Sequence, residues 1–408
     1  MKCRLCDAEA SLPLINLGSA PPSNAYLTKL TMRRPEKWFP LKVLVCESCW
    51  LVQAEAYSRA AELFNDEYAY FSSFSDQWLN HANSYVNKMV DRFHLTTDSF
   101  VVEVASNDGY LLQFVKNRGI PCLGVEPTAS TSSAARLKGI ETIEEFFGLT
   151  LANRLANQYR QADLMVANNV LAHVPDIKDF SAGFAALLKP QGVATFEFPH
   201  LMQLIEHNQF DTIYHEHFSY LSFTTVINVF SSNGLSVFDV EELGTHGGSL
   251  RVFAQRKDTG NQIVSGKVTE LLHREDSSGM NSASYYEGFQ EHADKVKNDF
   301  LYFLLEAKRA GKTVVGYGAA AKGNTLFNYA GVRPDLLSYV IDRNPAKQDK
   351  FLPGCRIPIV AEARLSQSKP DYVLIIPWNL KDEVMEQLAY IREWGGQFVT
   401  AVPKLCIG

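Results

Sequence analysis

The chain of 408 residues has no basic run, and its 39 Lys and Arg against 45 Asp and Glu leave a formal net charge of −6. A dedicated nucleic-acid surface needs a basic stripe, so no nucleic-acid partner is expected. No apolar stretch approaches the roughly 20 residues of a membrane span, so no membrane partner is expected either. The opening residues, Met1-Lys2-Cys3-Arg4-Leu5-Cys6, lack the apolar core and cleavage site of a signal peptide, which predicts a cytoplasmic protein. Repeats of solenoid period are missing as well. What remains, 46% hydrophobic and 21% charged, is an ordinary globular composition. Its length exceeds what one core organises and predicts two or three domains.

Cysteine is sparse, at seven residues, yet four of them form two pairs. Cys3-Arg-Leu-Cys6 and Cys46-Glu-Ser-Cys49 are C-x-x-C knuckles, which place four thiolates around one structural zinc and tie two loops together. The alternatives are a redox dithiol or chance pairing. A redox C-x-x-C usually stands alone, and the second copy favours zinc. Cys122, Cys355 and Cys406 stand singly and are expected as small buried hydrophobes.

The organisation predicts an α/β protein in three parts: a zinc-binding domain over 1–70, a Rossmann-like middle domain over 71–272 and a second Rossmann-like domain over 273–408. In the first part, Leu41-Lys-Val-Leu-Val45 reads as a strand among loops. Strands are expected at 100–105, 122–126, 163–167 and 193–198, with helices at 110–117 and 177–188. Lys189-Pro190-Gln191-Gly192 reads as the turn closing the second helix. Residues 235–240 and 249–253 are expected to pair as a final antiparallel hairpin. A polar stretch with a connecting helix over 285–308 leads to strands at 313–318, 337–341, 372–376 and 397–401. Alternation of this kind gives doubly wound sheets.

Glu103-Val-Ala-Ser-Asn-Asp-Gly109 follows the first middle strand as a cofactor cradle. Class I methyltransferases place E/D-x-G-x-G-x-G here, so that small residues admit the methionine part of S-adenosylmethionine. Glu103, Ala105, Asn107 and Gly109 hold those positions, with Ser106 and Asp108 between them and two glycines replaced. Glu126, ending the next strand, can accept from both ribose hydroxyls, a device that NAD sites share. The terminal hairpin, and Asn168-Asn169 at the end of the 163–167 strand, favour the methyltransferase.

Tyr214-His215-Glu216-His217 packs two imidazoles, a carboxylate and a phenol into consecutive positions. Such density suits acid–base chemistry, because His titrates near neutral pH and a neighbour can orient it. A metal site and an inert loop are the competing readings.

These motifs together resemble the sugar-nucleotide C-methyltransferases that make branched deoxysugars. The resemblance rests on the four cysteines, Tyr68-x-Tyr-Phe-Ser-Ser, the 103–112 cradle, Tyr214-His-Glu-His-Phe-Ser-Tyr220, His246-Gly-Gly-Ser-Leu-Arg251 and Gly316-Tyr-Gly-Ala-Ala-Ala-Lys-Gly-Asn324. It spans nearly the whole chain, in order. It implies methylation at C3 of a dTDP-, GDP- or CDP-linked 4-keto-6-deoxysugar through an enolate. By similarity His217 is the general base and Glu216 tunes it. Tyr214 donates to the sugar or the oxyanion, and His173 and Tyr68 face the substrate. Gly318, Ala320, Lys322, Gly323 and Asn324 would cradle the diphosphate at a helix start. Asp342 would meet a ribose. Arg251 is either a substrate contact or a strand salt bridge. Two other functions stay open: an O- or N-methyltransferase of a sugar or small metabolite, and an inactive zinc-ribbon binding module.

Overall fold

A computed structural model describes residues 1–57 and 71–408. The amino-terminal unit carries β1 (Leu12–Ala20), β2 (Phe39–Val45) and β3 (Val52–Ala54) as an antiparallel sheet. The next element, α1 (Asp76–Phe93), starts where the Ser75 side chain accepts from the Trp78 N–H. It ends at His94, in the left-handed conformation. Its buried residues Ala82, Tyr85, Val86 and Met89 recur at helical spacing and cover one face of the middle sheet.

That sheet comprises β4 (Val101–Val104), β5 (Cys122–Val125), β6 (Thr142–Ile143), β7 (Ala162–Asn168) and β8 (Leu188–Pro199), followed by β10 (Leu235–Leu243) and β11 (Ser249–Arg256). Between them run α2 (Leu112–Lys116), α3 (Ala129–Leu137), α4 (Leu149–Gln158), α5 (Ile177–Leu187), α6 (Leu201–Glu206), β9 (Ser219–Tyr220) and α7 (Phe223–Ser232). The order is β10-β11-β8-β7-β4-β5-β6. The strands from β6 to β8 run parallel, and β11 inserts antiparallel between β8 and β10. The expected terminal hairpin is thus present. β4 is buried along its whole length, as a parallel strand covered on both faces must be.

α8 (Gly266–Ser277) and α9 (Phe289–Arg309) lead to the second parallel sheet. It holds β12 (Val314–Tyr317), β13 (Val340–Ile341), β14 (Ile359–Val360), β15 (Tyr372–Ile375), β16 (Gln397–Thr400) and β17 (Cys406–Ile407), with α10 (Ala321–Ala330), α11 (Ala363–Ser368) and α12 (Lys381–Gln387) between them. Its order is β14-β13-β12-β15-β16-β17, with only β17 antiparallel.

Several expectations change. Lys189–Gly192 lies inside β8, where a register irregularity lets Leu188 pair with Ala162 and absorbs the Pro-Gly segment. The boundary expected after residue 272 cuts α8. Cys406 is exposed on the edge strand β17, whereas Cys355 is buried. Tyr68 lies outside the described residues. Most consequential is β9, which leaves the middle unit to join β3, so the sheet order is β1-β2-β3-β9. The amino-terminal sheet also shares a core with the carboxy-terminal unit, where Leu14, Val43 and Val45 pack with Phe300, Phe327 and Leu337.

Candidate active site

The four knuckle sulfurs lie within 4.8 Å of one another. Cys3 Sγ is 3.5 Å from Cys49 Sγ, and Cys6 Sγ is 3.5 Å from Cys46 Sγ. Tetrahedral zinc with bonds of about 2.3 Å requires sulfurs about 3.8 Å apart, so the donor set fits the metal. The Leu5 N–H donates to Cys3 Sγ at 3.4 Å, a contact that favours a thiolate. Zinc held by Cys3, Cys6, Cys46 and Cys49 would have no open coordination position and would serve structure. Between the first two ligands, Arg4 donates to the Ala54 and Phe218 carbonyls at 2.9 and 3.1 Å. The zinc unit therefore grips the residue next to His217.

The cradle follows β4. Ala105, Asn107 and Gly109 all have positive φ, at 55°, 50° and 75°. Two glycines are replaced, yet their left-handed backbone persists, at roughly 1–2 kcal/mol for each non-glycine residue. The loop is held from outside: Glu126 accepts from the Asn107 N–H at 3.0 Å and from the Thr128 N–H at 3.0 Å. Asn107 Oδ1 accepts from the Ser72 N–H at 2.9 Å, so the segment before α1 lies over the cradle. Asp108 pairs with Lys138 at 3.2 Å. Burial holds the Glu103 carboxyl well above the usual carboxylate range, with the Tyr110 hydroxyl opposing. Ser106 Oγ, both amide atoms of Asn168 and Asn169 Oδ1 are buried with no partner among the described residues. Such atoms need a polar ligand. They fit the amino-acid and ribose parts of S-adenosylmethionine.

Beside the cradle, Trp78 stacks on His81 at 4.8 Å and on Tyr110 at 5.9 Å. His81 Nε2 lies 3.0 Å from both Glu197 oxygens, and Arg251 donates to Glu197 at 3.0 Å and to Glu241 at 3.3 Å. Burial alone would raise the Glu197 pKa, but His81 and Arg251 outweigh it and keep the carboxylate ionised. Of the two readings for Arg251, the structure displays the strand salt bridge.

The segment between α6 and β9 forms a strap. The His217 N–H donates to the Tyr214 carbonyl at 2.9 Å, a turn that brings the two rings to 4.0 Å. The His173 ring lies 4.6 Å from that of His217. His217 Nδ1 is 2.9 Å from the Thr212 carbonyl oxygen. A carbonyl only accepts, so Nδ1 carries the proton, and the neutral ring keeps its lone pair on Nε2. Burial, then His173, His246 and Lys322, hold the His217 pKa well below its ordinary range. Burial brings His173 and His246 each to about 4.

Glu216 does not reach His217 in this geometry. The turn sends its carboxylate the other way, where it accepts from Asn24 Nδ2 at 2.6 Å, and burial pushes its pKa up to about 7. The Thr212 carbonyl orients the imidazole instead. His215 donates to the Phe39 and Pro40 carbonyls, at 3.2 Å each, as a structural tie.

On the carboxy-terminal side, Gly318 takes φ 88° against Pro377, and α10 begins after Ala320. A Cβ on Gly323 would meet Ile376 at 2.6 Å, so this helix can approach the sheet only with glycine there. Both side-chain amide atoms of Asn324 are buried and unpartnered among the described residues. Asp342 accepts from the Ala319 and Asn344 N–H groups, at 2.8 Å each, and pairs with Lys347 at 3.3 Å. It braces the glycine turn. Lys322 donates to Asn379 Oδ1 at 2.7 Å, with Nζ 4.1 Å from the Trp378 ring centroid. Trp378 Nε1 donates to Asp211 at 2.8 Å. Burial raises Asp211 to about 6 and lowers Lys322 to about 8.

Sequence reasoning passed over Asp211, Asn24, Trp378, His81 and Glu197, and gave His246 no role. Only His246 carried a signal, through the two glycines after it. A Cβ on Gly247 would meet Trp378 at 2.4 Å, which fixes the loop against that ring.

The switched-order sheet, its cradle and the buried histidine cluster define a methyltransferase. Residues 3–64 match a zinc binding domain, 78–240 a methyltransferase domain and 244–403 a C-methyltransferase C-terminal domain. The chain is 34% identical over 403 residues to C-methyltransferase NovU of Streptomyces niveus, covering 99% of this chain and 96% of that one. Among solved structures, magnesium protoporphyrin IX methyltransferase of Synechocystis PCC 6803 with bound SAM overlaps 44% of this chain and 79% of its own, at 15% identity and TM-score 0.34. The PH0226 protein of Pyrococcus horikoshii OT3 overlaps 46% and 95%, at 14% identity and TM-score 0.39. On the full-length relative and the three domains, the chain belongs to the C-methyltransferase family and is an S-adenosylmethionine-dependent enzyme with a zinc-binding amino-terminal domain. Among the described residues no helix is long and apolar enough to cross a membrane.

Proposed function

We propose that this enzyme methylates C3 of a nucleoside-diphosphate 4-keto-6-deoxysugar, with His217 as the base. The observation that carries the reading is the bond from His217 Nδ1 to the Thr212 carbonyl, which leaves Nε2 as an acceptor of protons in a buried site. The C3 hydrogen of such a sugar lies alpha to a ketone, and its removal makes C3 a nucleophile. Bound S-adenosylmethionine supplies an electrophilic methyl group on a sulfonium. His217 Nε2 takes the proton, and Tyr214, packed against the same ring, donates to the sugar. His173 meets the imidazole edge-on at 4.6 Å and helps to exclude water. Burial favours the neutral form of both histidines, the form a base requires.

The division of labour follows the three expected units. The amino-terminal unit holds zinc and braces the strap. Ala105 to Gly109, Asn168 and Asn169 hold the donor, with remaining lone pairs of Glu126 on its ribose. Gly318, Ala320, Gly323 and Asn324 hold the nucleotide half of the sugar substrate. Incubation with S-adenosylmethionine and dTDP-, GDP- or CDP-linked 4-keto-6-deoxyhexoses, read by mass spectrometry, should give one product heavier by a single methyl. An O- or N-methyltransferase would methylate without ever releasing the C3 hydrogen to solvent. That outcome overturns the reading.

A further inference from the structure

Lys322 was expected at the diphosphate, but its surroundings describe a different task. It occupies the first turn of α10, three residues before Thr325, whose hydroxyl donates to the Ile213 carbonyl at 2.8 Å. Residues three apart share a helix face, so the face carrying Lys322 is the one bound to the strap. Ile213 lies between Thr212, which orients His217, and Tyr214, whose ring packs against it at 4.0 Å. Two contacts then fix the ammonium group, one of them held in turn by a third. Asn379 accepts from it at 2.7 Å, and the Trp378 ring lies beneath it at 4.1 Å. Trp378 is itself pinned by its indole N–H on Asp211 at 2.8 Å. No carboxylate binds Nζ directly among the described residues. The cation is desolvated, positioned and not neutralised by contact, the arrangement that makes a fixed charge effective on a developing anion.

We infer that Lys322 is a catalytic residue of this site, its ammonium group stabilising the oxyanion that forms at O4 of the ketosugar. The inference rests on the proposed C3 deprotonation. In that step the C3–H bond breaks, its proton goes to His217 Nε2, and its electron pair becomes the C3–C4 double bond. The carbonyl pair moves onto O4, beside the Lys322 ammonium. In the next step the O4 pair re-forms the carbonyl, and C3 bonds the methyl group as the methyl–sulfur bond breaks with its pair to sulfur. The charge on O4 exists only between these steps. A cation placed there lowers the barrier without tightening ground-state binding. The two donors near O4 differ in kind: Tyr214 offers a neutral hydroxyl, and Lys322 the cation of the cluster.

The test is exchange of the C3 hydrogen with heavy water in the full-length enzyme. It uses S-adenosylhomocysteine and whichever of the dTDP-, GDP- and CDP-linked 4-keto-6-deoxyhexoses wild type labels. Calorimetry with the matching free nucleoside diphosphate runs in parallel. Lys322→Gln should slow exchange by at least about a hundredfold, the scale on which loss of one oxyanion donor acts. Its affinity for the nucleoside diphosphate should stay within about twofold, and Lys322→Arg should recover part of the exchange rate. Weakened nucleotide binding with little change in saturated exchange would instead assign Lys322 to the diphosphate and overturn the inference. Exchange at the wild-type rate in Lys322→Gln overturns it while leaving His217 untouched. Absence of exchange in wild type removes the enolate, and the inference with it. Circular dichroism and the unchanged nucleotide affinity separate these outcomes from misfolding.

Discussion

At the scale of single residues, the site is a set of ionisable groups moved from their ordinary protonation states by burial. Glu216 gives the clearest thermodynamic signature. Its pKa rises from an ordinary 4.5 to about 7, chiefly by burial, with the Asn24 amide opposing. A carboxyl whose folded pKa is raised favours the folded state fully below the unfolded value, and that contribution is lost as pH rises through the folded value. The pH window is therefore about 4.5 to 7, and the loss approaches about 3.5 kcal/mol at about 1.4 kcal/mol per unit. Glu216→Gln keeps an acceptor for Asn24 and cannot ionise. Urea unfolding should find the variant more stable than wild type at pH 8, by up to about 3.5 kcal/mol, and similar to it below pH 4.5. Equal stability at pH 8 would contradict a buried, ionising Glu216. The residue types of the site were legible in the sequence, since Tyr214, His217 and His173 stand in recognisable motifs. Their pairings were not: adjacency suggested that Glu216 orients His217, but a turn separates neighbours and hands that task to a backbone carbonyl.

At the scale of elements, the loop after β4 carries the most stored strain. Gly109 has φ 75°, and a Cβ there would meet Ile140 Cδ1 at 2.4 Å. Gly109→Ala therefore faces both an unfavourable backbone and a clash in the packed core behind the cradle. We expect it to lose roughly 2–5 kcal/mol of stability, the sum of a left-handed alanine and overpacking. Affinity for S-adenosylmethionine should fall in parallel. Thermal unfolding and calorimetry check this, and a variant with wild-type stability would show that the loop relaxes freely. The strands were legible because β5 and β12 are continuous apolar runs and β4 and β7 are each broken by an acidic residue only, and α5 has helical spacing with a cap, whereas α1 went unread behind its aromatic start. Lys189 to Gly192 misled for a physical reason. Pro and Gly signal a turn locally, yet an irregular strand register can accommodate both. α8 escaped notice because it buries only Val268, Leu271 and Glu275, leaving little apolar periodicity.

At the scale of the whole molecule, the zinc unit and the active site are mechanically one. β9, two residues beyond His217, is the edge strand of the amino-terminal sheet, and Arg4 between two zinc ligands holds the Phe218 carbonyl. Cys3 and Cys46 also pack in the same core as Phe196 and Phe230 of the middle unit. Removing zinc should therefore reduce methyl transfer strongly even though the metal takes no part in the chemistry, while S-adenosylmethionine affinity falls much less. Chelation followed by metal analysis, calorimetry and turnover checks this, and full activity in zinc-free protein would contradict it. No sequence pattern announced this coupling. Long-range pairing of a two-residue strand has no local signature, and the expected domain boundaries placed Tyr220 and Cys46 in separate bodies.

His217, whose Nδ1 lies against the Thr212 carbonyl, is the proposed base. The direct measurement is heavy-water exchange at C3 of the ketosugar, with S-adenosylhomocysteine bound, in wild type, His217→Asn and His173→Asn. A general base contributes about 10²–10⁴-fold in rate. Wild type should exchange, and His217→Asn should lose exchange and methyl transfer together by that order while binding both ligands nearly normally. Exchange that survives in His217→Asn and vanishes in His173→Asn would contradict the account and move the base to the other ring.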